Sequence, residues 1–227
     1  MIEERWVEAK VQGRLLLELP ADAGDGRVGE RTWWVGFHGY AENADRSLEA
    51  LQSIPATQGC TRVAIDSLHP FYNKQGEVVG SWMTRRGREQ AIRDNVIYVL
   101  NALEGLVGEG APPDRLVAVG FSQGTAMTYR AAVALAGTTH SARATSVVAL
   151  GGDVPPELSA SELTGLRRVL IGRGEQESWY TEDKLAEDER RLLQAGVEVE
   201  VCRYAGGHEW TDEFRAAVGR WFFSAGT

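Results

Sequence analysis

Six short runs, at residues 33–37, 62–65, 116–120, 146–150, 168–171 and 197–204, read as strands, most of them apolar throughout. The stretches between them carry apolar residues at helical spacing. A strand without polar alternates has to be covered on both faces, and a mostly parallel sheet with helices on both sides provides that cover. Helices are expected at 44–52, 87–105, 125–135, 181–195 and 211–223. Thr181 precedes Glu182 and Asp183, and Thr211 precedes Asp212 and Glu213, so the last two helices open with a capping hydroxyl and early negative charge. Strand and helix alternate almost to the C-terminus, which is the α/β pattern. Ahead of it, 6–11 and 14–19 read as two strands turning at Gln12-Gly13, an N-terminal antiparallel hairpin, and 20–31 has loop composition. With no internal repeat and no long linker, residues 1–227 are expected to form one domain.

Such a sheet needs a core, and 7 Trp, 6 Phe and 6 Tyr supply bulky side chains to fill it. The balance of 24 Lys plus Arg against 32 Asp plus Glu gives a formal net charge of −8, which repels a phosphate backbone and argues against nucleic acid as a partner. Cys60 and Cys202 are too few for a disulfide framework, and Met1-Ile2-Glu3-Glu4-Arg5 lacks the basic start and apolar stretch of a signal peptide. A reducing, cytoplasmic setting is expected. No apolar run approaches the roughly 20 residues that cross a bilayer.

Gly120-Phe121-Ser122-Gln123-Gly124 matches G-x-S-x-G and sits between an apolar strand and an Ala-rich helix. The pattern alone is weak, because it also describes a glycine-rich turn with a capping serine. Its placement between strand and helix is what points to chemistry: a turn this tight excludes side chains at the flanking positions and presents the serine hydroxyl on strained backbone. An unactivated hydroxyl is a poor nucleophile, so a base must lie within reach. Of four histidines, His208 follows Gly206-Gly207 after the last strand, on the same sheet edge as the turn. His140 should point away, and His69 precedes the serine in the chain. His38 could serve as base in a His38, Asp66, Ser122 arrangement, since triad order differs among folds. The turn's context instead places acid and base after the serine.

Acyl transfer also needs donors for the oxyanion. The Gln123 backbone N–H is one, and the loop His38-Gly39-Tyr40-Ala41-Glu42-Asn43 offers the Tyr40 N–H as another. The acid that orients the base should follow a later strand. The loop after 168–171 holds Glu175 and Glu177 but no Asp, and Asp153 follows the preceding strand, where it also suits a turn before Val154-Pro155. All three stay open on residue type alone.

These residues resemble the phospholipase/carboxylesterase group of α/β-hydrolases, which includes the acyl-protein thioesterases. The resemblance runs from about Trp33 to Trp221 and is carried by His38-Gly39, by Gly120-Phe121-Ser122-Gln123-Gly124 and by Gly206-Gly207-His208. It implies a compact, lidless serine hydrolase of carboxylic esters or thioesters that needs no cofactor. Ser122 and His208 would be catalytic, with Tyr40 and Gln123 as oxyanion donors. The family's acid is an aspartate; Glu177 keeps the family's interval after Gly174 and is the choice here over Glu175 and Asp153. The family's aromatic-Asp after a tryptophan is replaced in Ser81-Trp82-Met83-Thr84, which bears on the substrate groove. Trp82, Trp179 and Trp210, with Phe71, Tyr72 and Met83, fall in loops near the site and would suit an acyl chain or aromatic group of a small-molecule ester.

Three other classes compete. No His/Cys/Asp spacing suggests a metal ligand set, and no Lys-Ser/Thr follows the glycine turn as a phosphate loop requires. A catalytically silent α/β-hydrolase scaffold that binds a ligand or partner is the alternative favoured by the missing aspartate.

Overall fold

The computed structural model describes residues 1–20, 31–108, 112–136 and 145–224. Among these residues, nine strands and six α-helices follow in the order β1 (Leu15–Glu18), β2 (Thr32–Phe37), α1 (Ala44–Gln52), β3 (Thr61–Ile65), β4 (Pro70–Tyr72), β5 (Val78–Gly80), α2 (Arg88–Gly108), β6 (Arg115–Phe121), α3 (Gln123–Ala136), β7 (Thr145–Leu150), α4 (Ala160–Leu163), β8 (Arg168–Gly174), α5 (Glu182–Gln194), β9 (Glu198–Tyr204) and α6 (Asp212–Ser224). Seven strands form one sheet in the order β1-β3-β2-β6-β7-β8-β9. All neighbours from β3 to β9 are parallel, and β1 alone runs antiparallel, against β3. Four of the five inner strands, β2, β6, β7 and β8, are buried along almost their whole length, as their continuous apolar sequences require.

Helices α2, α3, α4 and α5 contribute to a core on one face with Val99, Leu103, Met127, Leu163, Leu185 and Leu192. Helices α1 and α6 close the other face around Trp34, Leu51, Phe214, Val218 and Trp221. The expected caps are present: Thr181 Oγ1 accepts the Lys184 N–H and Thr211 Oγ1 accepts the Phe214 N–H. Because the inner strands are parallel, the loops after β2, β6, β7, β8 and β9 all emerge at one edge of the sheet.

The N-terminal hairpin differs from expectation. Residues 6–11 form no strand and are exposed, and β1 pairs instead with β3, Leu15 opposite Ile65. An isolated two-stranded hairpin is marginal in water, whereas the edge of an existing sheet supplies both a ladder and an apolar surface. The Arg14 carbonyl accepts the Asp66 N–H and the Tyr98 hydroxyl, which fixes the start of β1. A second, unexpected hairpin joins β4 and β5 through Asn73 and Gly76, with the Gly76 N–H donating to the Asn73 carbonyl. The short helix α4 was also not expected, although Ser159 and Glu162 form a capping box at its start. His140 and most of 20–31 lie outside the described residues.

Asp188 of α5 is buried where α5 meets the loop after β7. Its Oδ2 accepts the Val154 N–H and the Tyr180 hydroxyl, each at 2.9 Å. Burial nevertheless pushes this carboxyl up to about 6, with the Asp153 charge adding to the rise and the two hydrogen bonds and Arg191 opposing it. Between an unfolded value near 4 and the folded value near 6, the native state holds a proton that the unfolded chain releases, so this contribution to stability is lost as pH rises through that window. Asparagine keeps the accepting oxygen without the charge. Relative to the parent, Asp188→Asn should gain on the order of 2 to 3 kcal/mol between about pH 4 and about pH 7 in urea unfolding. A pH-independent difference between the two proteins would contradict this.

Candidate active site

Ser122 stands between β6 and α3 at φ 54, a left-handed backbone that costs an ordinary residue on the order of 1 to 2 kcal/mol. Two hydrogen bonds hold it there: the Ser122 N–H donates to the Leu150 carbonyl at 2.8 Å, and the Ser122 carbonyl accepts the Thr125 N–H at 3.0 Å. The flanking glycines are dictated by space. A Cβ on Gly120 would lie 2.2 Å from Thr128 Oγ1, and one on Gly124 would lie 2.2 Å from the Phe37 carbonyl oxygen.

The loop after β2 packs on this turn. Ser67 N–H donates to His38 Nε2 at 3.1 Å, so the proton of a neutral His38 sits on Nδ1, which donates to the Gly39 carbonyl at 2.7 Å. His38 is buried, and burial pulls its pKa below the ordinary range. Both ring nitrogens are thus engaged in shaping the loop. Asp66, the other member of the alternative triad, instead accepts the Ala44 N–H and an Arg14 ion pair. Gly39 N–H donates to Glu42 Oε2 at 2.7 Å, and Ala41, at φ 60, donates its N–H to the Gly80 carbonyl. The amides on both sides of Tyr40 are therefore occupied. Gln123 opens α3, so its amide belongs to the helix end that intrahelical bonding leaves unpaired.

The Gln123 side chain has a second task. Its Oε1 accepts the Trp82 N–H at 2.9 Å and its Nε2 donates to the Met83 carbonyl at 3.0 Å, which ties residues 81–83 to the serine turn. Trp82 is fully buried, stacks on His38 and donates from Nε1 to the His38 carbonyl. The expectation that Trp82 lines the substrate groove is therefore corrected: the indole lies beneath the loop after β2 and supports it.

The loops after β8 and β9 are joined along their backbones. Glu175 N–H donates to the Tyr204 carbonyl at 3.0 Å and Gln176 N–H to the Gly206 carbonyl at 2.9 Å. Glu177 Oε2 hydrogen-bonds His208 Nδ1, and Glu177 Oε1 accepts the Trp179 N–H at 2.7 Å. The Glu177 side chain is fully shielded from solvent. Burial alone would push its carboxyl up; the hydrogen bonds from His208 and from the Trp179 and Tyr180 amides outweigh that and hold it below the usual range. Asp153 is half exposed with Lys184 3.5 Å away, and Glu175 is exposed.

Gly151 and Gly152, after β7, fill the space between these parts. A Cβ on Gly151 would lie 3.0 Å from His208 Nδ1, and one on Gly152 would lie 2.4 Å from the Ser122 carbonyl oxygen. The His208 ring also packs on Phe121, centroids 4.8 Å apart. Among the described residues, no hydrogen bond joins Ser122 Oγ to the imidazole. Sequence reasoning missed the Gly151-Gly152 pair and Glu42, although a double glycine at the end of an apolar strand is itself a signal of close backbone approach.

Trp179 is exposed, and Trp210 is half-buried against Phe121 and Phe214. Tyr40 packs on Phe71 with the rings tilted, centroids 5.6 Å apart. A cavity of about 250 Å³ opens beside Phe121 and Trp210, with Glu42 and Arg215 in its walls. Among the described residues, no group of three or more His, Cys, Asp or Glu side chains could hold a metal ion.

A family model described as phospholipase/carboxylesterase matches residues 37–211. No curated protein matches the sequence. Among solved structures, a carboxylesterase from Mesorhizobium loti superposes with a TM-score of 0.70 at 20% identity, covering 95% of this chain and 94% of its own. Acyl-protein thioesterase 2 from Zea mays gives 0.68 at 18% identity over 94% of this chain and 99% of its own. The Bacillus cereus carboxylesterase gives 0.67 at 15% identity, covering 94% of each chain. Those likenesses speak for the fold; with three quarters of the sequence matched by the family model, the chain belongs to the phospholipase/carboxylesterase family of α/β-hydrolases.

Proposed function

We propose that this hydrolase cleaves carboxylic ester or thioester bonds of a small acyl substrate through an acyl-enzyme formed on Ser122. The observation that carries the reading is the Glu177–His208 hydrogen bond, packed through Gly151-Gly152 against the strained Ser122. With Glu177 ionised and accepting from Nδ1, the lone pair of a neutral His208 lies on Nε2, the nitrogen able to take the serine proton. Ser122 Oγ attacks the carbonyl carbon and His208 takes its proton. The oxyanion that develops is met by the Tyr40 and Gln123 amides, and the imidazolium is stabilised by Glu177. His208 then protonates the leaving alcohol or thiol, and water repeats the sequence to release the acid. The contact between Ser122 Oγ and imidazole belongs to the substrate complex, as catalytic hydrogen bonds often tighten on binding.

Trp179 and Trp210 supply apolar surface beside the site for the acyl or alcohol group. The silent-scaffold reading drew on the lack of an aspartate, and Glu177 meets that objection with a carboxylate on the histidine. One domain over residues 1–227 agrees with the continuous seven-stranded sheet. A cytoplasmic setting suits Cys60 and Cys202, both free thiols, and among the described residues no helix is long and apolar enough to cross a membrane.

Three outcomes test this reading. Ser122→Ala should fold, escape labelling by a fluorophosphonate and lose hydrolysis of a p-nitrophenyl ester by a factor on the order of 10⁴; labelling of the alanine variant would sink the assignment. His208→Ala should fold and lose hydrolysis on a scale similar to Ser122→Ala; parental activity in that variant would count against His208 as base. Glu177→Gln should lower kcat far more than Glu175→Gln, and equal activities would overturn the choice of acid.

A further inference from the structure

Arg173 lies at the end of β8, two residues before the acid loop turns, and it is 93% removed from solvent, with 7% exposure. Its guanidinium makes three polar contacts, all within the segment that follows. Nε donates to the Tyr180 carbonyl at 2.8 Å, Nη2 donates to the Glu177 carbonyl at 3.3 Å, and Nη1 lies 3.3 Å from Glu182 Oε1. The loop from Glu175 to Thr181 has no regular secondary structure. It is wound around this side chain.

Desolvating a guanidinium costs several kcal/mol unless its donors are well satisfied. Here the one carboxylate partner, Glu182, is half exposed and also pairs with Arg203 at 3.0 Å. A turn that only had to close could be filled by an apolar side chain at less cost. The guanidinium instead fixes two specific carbonyls, and one of them belongs to the residue whose carboxylate meets His208. Glu177 is thereby held at both ends: its backbone carbonyl by Arg173 and its Oε1 by the Trp179 N–H, which leaves Oε2 directed at Nδ1. A glutamate has one more rotatable bond than an aspartate, so more side-chain freedom has to be removed to keep that direction.

We propose that Arg173 is a positioning residue for the reaction: it acts through Glu177 to keep the His208 imidazole oriented. This rests on the Ser122–His208–Glu177 reading. The forked, planar guanidinium is what the role requires, because one rigid group reaches two carbonyls three residues apart.

The test is a double-mutant cycle on hydrolysis of a soluble p-nitrophenyl ester, using the parent, Arg173→Met, Glu177→Gln and the double variant, with thermal unfolding of each. Arg173→Met should lower kcat by about 10- to 100-fold with KM nearly unchanged, and Arg173→Lys should recover part of the loss. In the Glu177→Gln background the same substitution should change kcat by less than about twofold, because the group it orients is already disabled. Additive losses, or parental kcat in Arg173→Met, would overturn the inference. If Arg173→Met fails to fold, Arg173→Lys replaces it in the same cycle with the same criterion. Parental activity in Glu177→Gln alone would instead remove the triad reading on which the inference stands, so the two failures are separable.

Discussion

Ser122 is held at φ 54 by contacts from two neighbouring strands and from the helix that follows it. Leu150, at the end of β7, takes its N–H, Thr125 returns an N–H to its carbonyl, and the backbone after β2 passes so close to Gly124 that only a hydrogen atom fits there. Such a residue is stable only where β2, β6 and β7 run side by side with their carboxyl ends level. That same alignment brings the loops after β8 and β9 to the edge where the serine stands. The site is thus a consequence of parallel pairing in the sheet, and the helices on either face serve mainly to keep the strands buried.

Two buried carboxyls near the acid loop are driven in opposite directions by similar surroundings. Both Glu177 and Asp188 are desolvated and both accept hydrogen bonds. Glu177 accepts from His208 and from two backbone amides, which together outweigh burial and keep it ionised. Asp188 has one amide and the Tyr180 hydroxyl, and Asp153 adds a like charge, so burial prevails and its carboxyl rises to about 6. Tyr180 connects the two: its backbone belongs to the Glu177 loop and its hydroxyl ends on Asp188. Both carboxyls are mostly ionised at pH 7, but the larger set of donors around Glu177 keeps it charged to a lower pH than Asp188, where desolvation prevails.

The sequence was most informative where one physical demand acted alone. Continuous apolar runs marked the inner strands, and G-x-S-x-G between strand and helix marked Ser122, because both patterns follow from sterics and burial within a few residues. Glu177 was reachable only through the spacing shared with a family, since residue type leaves Glu175 equal to it. What separates them is tertiary: Glu177 is drawn inward by the Trp179 amide and by Arg173, while Glu175 remains outside. The N-terminal hairpin misled for the opposite reason. Its alternation was real, but Leu15 and Leu16 pair with the edge of the main sheet, and residues 6–11 form no strand. Trp82 shows the same limit, because an aromatic residue in a loop reads alike whether it faces a ligand or supports a turn.

The β4–β5 hairpin has three residues in each strand and stands apart from the main sheet. Ladders of that length have little stability of their own. Yet Gly80 accepts the Ala41 N–H and donates to the Glu42 carbonyl, so the turn at Tyr40 is anchored in part on this short hairpin. Amide exchange should therefore find the sheet centre at β6 and β7 opening only with global unfolding, while the Ala41 and Gly80 amides exchange through a smaller, sub-global event. Local opening of the Tyr40 loop is thereby separated from the seven-stranded sheet that holds Ser122.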